Sequence, residues 1–487
     1  MSGGITKRPF VVALLILLWT AGTVRALLVC MHAPLLAYAN SYDETRYTSC
    51  FHFYPDRPAD VPPELNSPEA PYARYRFIAS GDPMCYWSSE LAFTGLTTLA
   101  WKSAEALGGG AVHDVRGVAV MRWLALLALS VALSRAWLRR NDARAAIANA
   151  ALVPLVFADP GNTLYLATFY AEWTALIVVY ALIALLLLWH GEARTRSRFV
   201  LLALVAFTVA TSKMQHMLLP LALTAAVVLL DRMRLGRTSW RAAALALGAF
   251  AGAYVQFIQT SREGLMIDTI RQYNSADVVF TALVPFASDP QALLTEIGID
   301  PGCAIYSGHR AWQLPDLPDR TCAGLVNFTR TRELGALLRH PSIAARLAVS
   351  GVPALDPWLA DNIGHVEGGQ FEKLPLAIPT IGRPLHAHPE AQLFLLALPL
   401  LVLAVLFSSP RARAHGATLD AALLVVVTML ATLAVTLLGD GLADTPKQGH
   451  LIVNAAFAWV VAGLMMGVRT RNAARVVGAS RPPPPPS

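Results

Sequence analysis

The length of the apolar runs constrains this chain more than any other feature. From Leu164 to Trp189 the sequence carries one charged residue, Glu172. A helix rises ~1.5 Å per residue, so about 20 such residues cross the ~30 Å hydrocarbon core of a bilayer. Soluble domains average about 25% charged residues. Here 15% are charged and 55% hydrophobic, so lipid is the solvent for much of the chain.

Apolar runs set against polar breaks predict helices near 9–29, 115–137, 142–157, 163–189, 198–211, 217–230, 241–259, 390–408, 418–438 and 450–468. The expected fold is therefore an all-α polytopic membrane protein of about ten transmembrane helices. The runs 142–157, 198–211 and 217–230 are short for a span. Each either borrows flanking residues or is a broken helix lining a cavity.

The net charge is +7, with 39 Lys and Arg against 32 Asp and Glu. In a soluble protein that balance would suggest nucleic acid as a partner. Here the bases lie between apolar runs and read as topology determinants, with the bilayer and no nucleic acid as partner. Alternate short loops hold Arg135, Arg139, Arg140 and Arg144, then Arg194, Arg196 and Arg198, then Arg232, Arg234, Arg237 and Arg241, then Arg411 and Arg413. The intervening loops hold no base in 158–162, Lys213 in the next and Lys447 in the last. The positive-inside rule then places both termini in the cytoplasm of a bacterial inner membrane. Two large segments, 30–112 and 260–389, face the periplasm.

The expected division is 1–29 first helix, 30–112 first periplasmic loop, 113–259 helices two to seven, 260–389 second periplasmic segment, 390–468 helices eight to ten, and 469–487 a basic, proline-rich disordered tail. The N-terminal run resembles a signal peptide but has a poor cleavage site, so it reads as an uncleaved helix with Arg25 snorkelling to the interface. The first loop ends in an amphipathic stretch, Trp87 to Leu107, suited to lying on the membrane surface. At their size both long segments are expected to be folded caps. If so exposed, Cys50 with Cys85 and Cys303 with Cys322 are candidate disulfides, and spacing alone leaves their geometry open.

Asp43 and Glu44, in SYDET, follow the first helix at the outer surface. A carboxylate there can act as general base on an acceptor hydroxyl, or be part of a solvated acidic pair. Glu172 lies well inside the expected helix 163–189. An ionised acid at the bilayer centre costs about 2.5–3.5 kcal/mol on insertion scales, so it must face a cavity or a structural partner. Asp159, in the loop before it, is cheaply solvated and ambiguous. TSKMQH places Lys213, Gln215 and His216 in an outward turn, and GDGLADTPKQGH places Asp440, Lys447 and His450 in another. A phosphate at the membrane surface would explain both lysines; the alternative is snorkelling with a loop acid such as Asp444. No convincing metal-ligand set is visible and no cofactor is certain, so a divalent metal stays possible. Nucleotide-binding loops and hydrolase motifs are absent.

An Asp-Glu pair just after helix one, an amphipathic loop helix, many spans and a large outward segment resemble the GT-C superfamily of membrane glycosyltransferases. The sequence from Tyr273 to Pro301, with its Tyr-Asn, SDP and EIGIDP elements, also resembles bacterial members that transfer hexoses to surface glycans. The resemblance implies inverting transfer from a polyprenyl-phosphate-linked sugar donor to a glycan or lipid-linked acceptor. It implies Asp43 as base, with Glu44 the fallback; departure of the phosphate needs positive charge, for which Lys213, His216, Lys447 and His450 are the candidates. Asp159, Glu172 and Gln215 would line the cavity. Two other readings remain: an O-antigen ligase or polymerase type of enzyme, and a non-enzymatic lipid-linked glycan transporter, which would scatter charges through its helices.

Overall fold

The computed structural model describes residues 7–38, 41–56, 73–79, 85–236, 238–262, 264–355, 363–365, 377–408 and 416–479. Arg237, Arg411, Arg413 and the proline-rich end lie outside the described residues, as do the side chains of Arg234 and of the helix beyond Leu464.

Helix α1 (Lys7–Cys30) leads into strand β1 (Leu36–Tyr38), helix α2 (Ser41–Thr48) and strands β2 (Phe53–Pro55) and β3 (Arg74–Phe77). Helix α3 (Leu91–Ala106) and strand β4 (Val112–Asp114) complete the first long segment. The bundle continues with α4 (Arg116–Arg139), α5 (Ala143–Leu152), α6 (Pro160–Thr163), α7 (Ala171–Leu188), α8 (Arg196–Ser212), α9 (Leu219–Leu235) and α10 (Trp240–Ser261). The second long segment holds α11 (Leu265–Asp277), α12 (Pro290–Glu296), α13 (Pro318–Thr321), α14 (Arg330–Arg339), α15 (Pro341–Ala354), β5 (Ile363–His365) and α16 (Gly382–Ala387). It is followed by α17 (Pro389–Ser408), α18 (Gly416–Asp440), α19 (Thr445–Gln448) and α20 (His450–Ala479).

Seven helical segments among the described residues are long and apolar enough to cross a membrane: Pro9–Cys30, Arg116–Arg139, Ala171–Leu188, Met214–Met233, Trp240–Ser261, Pro389–Ser408 and Ala417–Asp440. Ala143–Phe157 and His450–Leu464 are shorter apolar helices. The short run expected at 142–157 is a continuous short helix: α5 runs on as a π-helical turn over Val153–Phe157, where Pro154 cannot donate an amide hydrogen. Helices α8 and α10 pack closely because Gly248 and Gly252 present no side chain. A Cβ on Gly248 would lie 2.1 Å from the Ala203 carbonyl oxygen, and one on Gly252 would lie 2.5 Å from Ala210 Cβ.

The arginine-rich loops meet at one end of the bundle through ion pairs. Arg140 and Arg198 reach Glu192 at 2.7 and 3.0 Å, Arg241 reaches buried Asp231 at 2.7 Å, and His190 reaches Asp420 at 2.8 Å. Both long segments emerge at the other end, called the polar end below.

Four expectations change. The fold is mostly helical but not all-α. Strands β2, β3 and β4 form an antiparallel sheet, with Phe53 opposite Phe77 and Tyr75 opposite His113, and β1 pairs with β5. Alternating aromatics drive the sheet: Phe53 and Tyr75 are buried against Trp101 of α3 and Phe169 of the bundle, with ring centroids 5.0 to 6.3 Å apart.

The apolar run 163–189 is not one helix. Residues 164–170 leave helical geometry, and the buried Arg122 guanidinium collects their freed carbonyls, donating to Tyr165 O at 3.1 Å, Leu166 O at 3.3 Å and Thr168 O. Glu172 therefore sits in the first turn of α7, where the helix dipole favours a carboxylate, and not at mid-helix. Arg122 also lies within a candidate span and pairs with buried Glu90. Arg25 does not snorkel and Asp159 is not solvated. The Arg25 guanidinium donates to Asp159 at 2.7 Å, and Thr380 Oγ1 and the Ile381 amide donate to the same carboxylate at 2.8 and 2.9 Å. Unpaired burial of either charge would cost several kcal/mol, which is why the two find each other.

Candidate functional site

At the polar end α2 begins soon after the first membrane helix and turns adjacent residues about 100° apart. Asp43 and Glu44 therefore face different surroundings. The Glu44 carboxyl is buried, accepting from Tyr75 Oη at 2.7 Å and from the Phe169 amide. Burial pushes its pKa up to about 8 despite these bonds and despite Arg122. Its contacts pin α2 to the sheet and the bundle. Glu44 thus packs α2 in place, and its carboxyl points away from the Lys447 ammonium that meets Asp43.

Asp43 faces a different neighbour. Its two carboxylate oxygens meet Arg46, one helical turn on, and Lys447 of α19. Burial alone would raise its pKa, but Arg46 and Lys447 hold it well below the usual carboxylate range. Burial likewise disfavours the Lys447 ammonium, yet Asp43 and Asp444 together push its pKa well above the ordinary value. Lys447 Nζ also lies 3.1 Å from Asp444 and 4.8 Å from the centre of the Tyr170 ring. The C-terminal side of α2 is held by the disulfide Cys50–Cys85 and by the Tyr86 amide, which donates to Arg46 O at 2.8 Å.

A second node is built by the turn after α8. Lys213 Nζ donates to Glu172 Oε1 at 2.7 Å and to Gln448 Oε1 at 2.8 Å, and Gln448 Nε2 reaches Asp440 at 3.2 Å. Lys447 and Gln448 are neighbours on the single turn of α19, so the two nodes share that turn. Its position depends on Gly441, whose φ is +62° and where a Cβ would meet Thr281 Oγ1 at 2.4 Å and Asp277 O at 2.9 Å. Asp277, from the second long segment, accepts from the Ala311 amide at 2.7 Å. Burial, reinforced by Asp440, pushes its pKa up to about 8.

Asp43, Glu172, Lys213 and Lys447 thus come together from four separate parts of the chain. The two expected histidines make other contacts. His216 is buried, its Nδ1 3.0 Å from Ser212 Oγ. His450 turns both ring nitrogens to carbonyl oxygens, Lys447 O at 3.1 Å and Glu172 O at 3.2 Å. Gln215 stays half-buried beside Gly439 of α18, and Asp159 is taken by Arg25 and Thr380.

Sequence reasoning missed Arg46, Gln448 and the Glu90–Arg122 pair. Only the spacing of Asp43 and Arg46, one helical turn apart, carried a signal. The DP turns of the Tyr273–Pro301 region act as helix starts: Asp289 caps α12 by accepting from Ala292 N, and Asp300 caps the following 3₁₀ turn by accepting from Gly302 N. Among the described residues no three His, Cys, Asp or Glu side chains are grouped to hold a metal ion. Near Asp43 the acids are engaged by ammonium, guanidinium and amide donors, an arrangement that does not fit a divalent metal.

The fold and site define a polytopic helical membrane protein with a dense cluster of ionised side chains at one end of its bundle. The chain belongs to the family of the YfdI N-terminal transmembrane domain, which it matches over residues 74–475. No curated protein and no solved structure matches it.

Proposed function

We propose that the chain is a GT-C-type inverting glycosyltransferase that moves a sugar from a polyprenyl-phosphate donor to a glycan or lipid-linked acceptor. The observation that carries the reading is the convergence of Asp43 with Lys447, and of Lys213 with Glu172, around the single turn of α19. A carboxylate and two ammonium groups are gathered at the polar end, the residue types that a proton transfer and a phosphate leaving group require. In the reaction the acceptor O–H bond breaks and its proton passes to Asp43. The acceptor oxygen bonds to the anomeric carbon while the carbon–oxygen bond to the phosphate breaks, its electron pair leaving with the phosphate. Lys447 and Lys213 stabilise that charge. No step is routed through a metal.

The same reading places the protein in a bacterial inner membrane, both termini cytoplasmic, with ten membrane helices when α5, α8 and α20 are added to the seven long ones. The arginine clusters support this orientation. So do the disulfides Cys50–Cys85 and Cys303–Cys322, which suit an oxidising periplasm. A transporter reading gains nothing from Arg122, which is occupied with backbone carbonyls.

The test is transfer by the purified chain in proteoliposomes, supplied with polyprenyl-phosphate hexoses and acceptor glycolipids. Asp43→Asn should lower turnover by about 100-fold or more with unchanged expression. Full turnover in that variant removes Asp43 from the mechanism.

A further inference from the structure

Every cation at this site is already answered by a carboxylate. Lys447 lies between Asp43 and Asp444, Lys213 holds Glu172, and Arg46 holds Asp43. An anionic phosphate cannot reach Lys447 without competing with Asp43. A carboxylate paired with two cations is in turn a poor base, because its proton affinity is suppressed while they remain. The two roles proposed above therefore exclude one another in this arrangement.

From this geometry we infer that Lys447 is a positioning residue exchanged between Asp43 and the donor phosphate, so that lipid-phosphate binding itself releases the base. The inference rests on the glycosyltransferase reading and adds an order to it. In the ligand-free state Lys447 neutralises Asp43, and the acid takes no proton from a passing hydroxyl or from water. When the phosphate arrives it draws the Lys447 ammonium away. Asp43 keeps Arg46 alone, and its proton affinity rises. The donor binds first, and the acceptor meets an active base only beside a bound donor. No covalent change accompanies the exchange; one ion pair replaces another.

The local structure suits such a movement. Lys447 carries its ammonium on a flexible four-carbon stem, whereas Asp43 has a short side chain on a helix fastened by Glu44, Tyr86 and the Cys50–Cys85 disulfide. The group with the rotatable bonds to make the exchange is therefore the Lys447 ammonium. Gln448, bonded to both Lys213 and Asp440, ties the neighbouring position, so movement at Lys447 is transmitted to the second lysine.

The experiment measures binding rather than turnover. Polyprenyl monophosphate is titrated into the full chain in nanodiscs and followed calorimetrically. If the phosphate competes with Asp43, Asp43→Asn should bind it about tenfold more tightly than the unmodified chain, because the ammonium no longer has to leave a carboxylate. Asp444→Asn should act in the same direction and guards against a folding defect peculiar to position 43. Lys447→Gln should weaken binding about tenfold, and the double variant with Asp43→Asn should match Lys447→Gln alone. Equal or weaker binding by both Asn variants overturns the exchange and leaves the phosphate site standing. Absence of binding by the unmodified chain and every variant removes the phosphate site, and the exchange with it.

Discussion

Lys447→Ala tests the architecture of the site without any substrate. Lys447 is nearly buried, 7% exposed, and its ammonium is shared by Asp43, 16% exposed, and Asp444, 27% exposed. Removing one partner of a fully buried ion pair costs about 3–5 kcal/mol, because the other charge is stranded. Two features reduce that figure here. Arg46 still answers Asp43, and the partial exposure of both acids lets water screen them. A loss of about 1–3 kcal/mol remains. Asp43→Ala alone should be destabilising by less, since Lys447 keeps Asp444. Combining the two should give a loss smaller than their sum, with a coupling of about 1 kcal/mol or more. Thermal unfolding of the detergent-solubilised chain, followed by intrinsic fluorescence, measures all three variants on one scale. Strict additivity, within about 0.3 kcal/mol, would refute the contact on which the site is built.

Three further outcomes follow from the geometry. Glu44 has a folded pKa of about 8, above its ordinary value of 4.5, so its stabilisation is fully present below about pH 4.5 and is lost as pH rises through 8. Glu44→Gln should flatten that loss in a thermal scan from pH 5 to 9, and an unchanged slope would place the titration elsewhere. Gly248→Leu should separate α8 from α10 and lower the yield of folded protein in membranes, whereas Leu247→Ala, on the exposed side of α10, should not. Gly441→Val should disturb α19 and weaken polyprenyl monophosphate binding about as much as Lys447→Gln, read in the same titration; full binding would show that the turn does not depend on this glycine.

The membrane helices were legible because hydrocarbon enforces long apolar runs, and most expected boundaries fall near the observed ones. The run at 163–189 misled for a physical reason. Its unwound stretch stays as apolar as a helix, because the groups that satisfy its carbonyls come from Arg122, far away in sequence. Glu172 was therefore placed too deep, and the same long-range pairing hid Asp159 behind Arg25. The site was legible as residue types in outward turns: Asp43, Lys213 and Lys447 stood out because charges there need an explanation. Which of them meet was not legible. His216 and His450 look like phosphate donors in sequence, and only the fold shows His216 Nδ1 beside Ser212 and both His450 nitrogens at backbone carbonyls. Gln448 carried no signal at all, since an uncharged amide beside a lysine is unremarkable until Lys213 and Asp440 close on it.

The central claim is that the charged cluster around α19 receives the phosphate of a membrane lipid. The most direct measurement is a cryo-electron-microscopy map of the chain in nanodiscs with polyprenyl monophosphate. The account predicts phosphate density within about 4 Å of the ammonium groups of Lys447 and Lys213, with Lys447 drawn off Asp43. Phosphate density elsewhere, with Lys447 still bonded to Asp43, would contradict it.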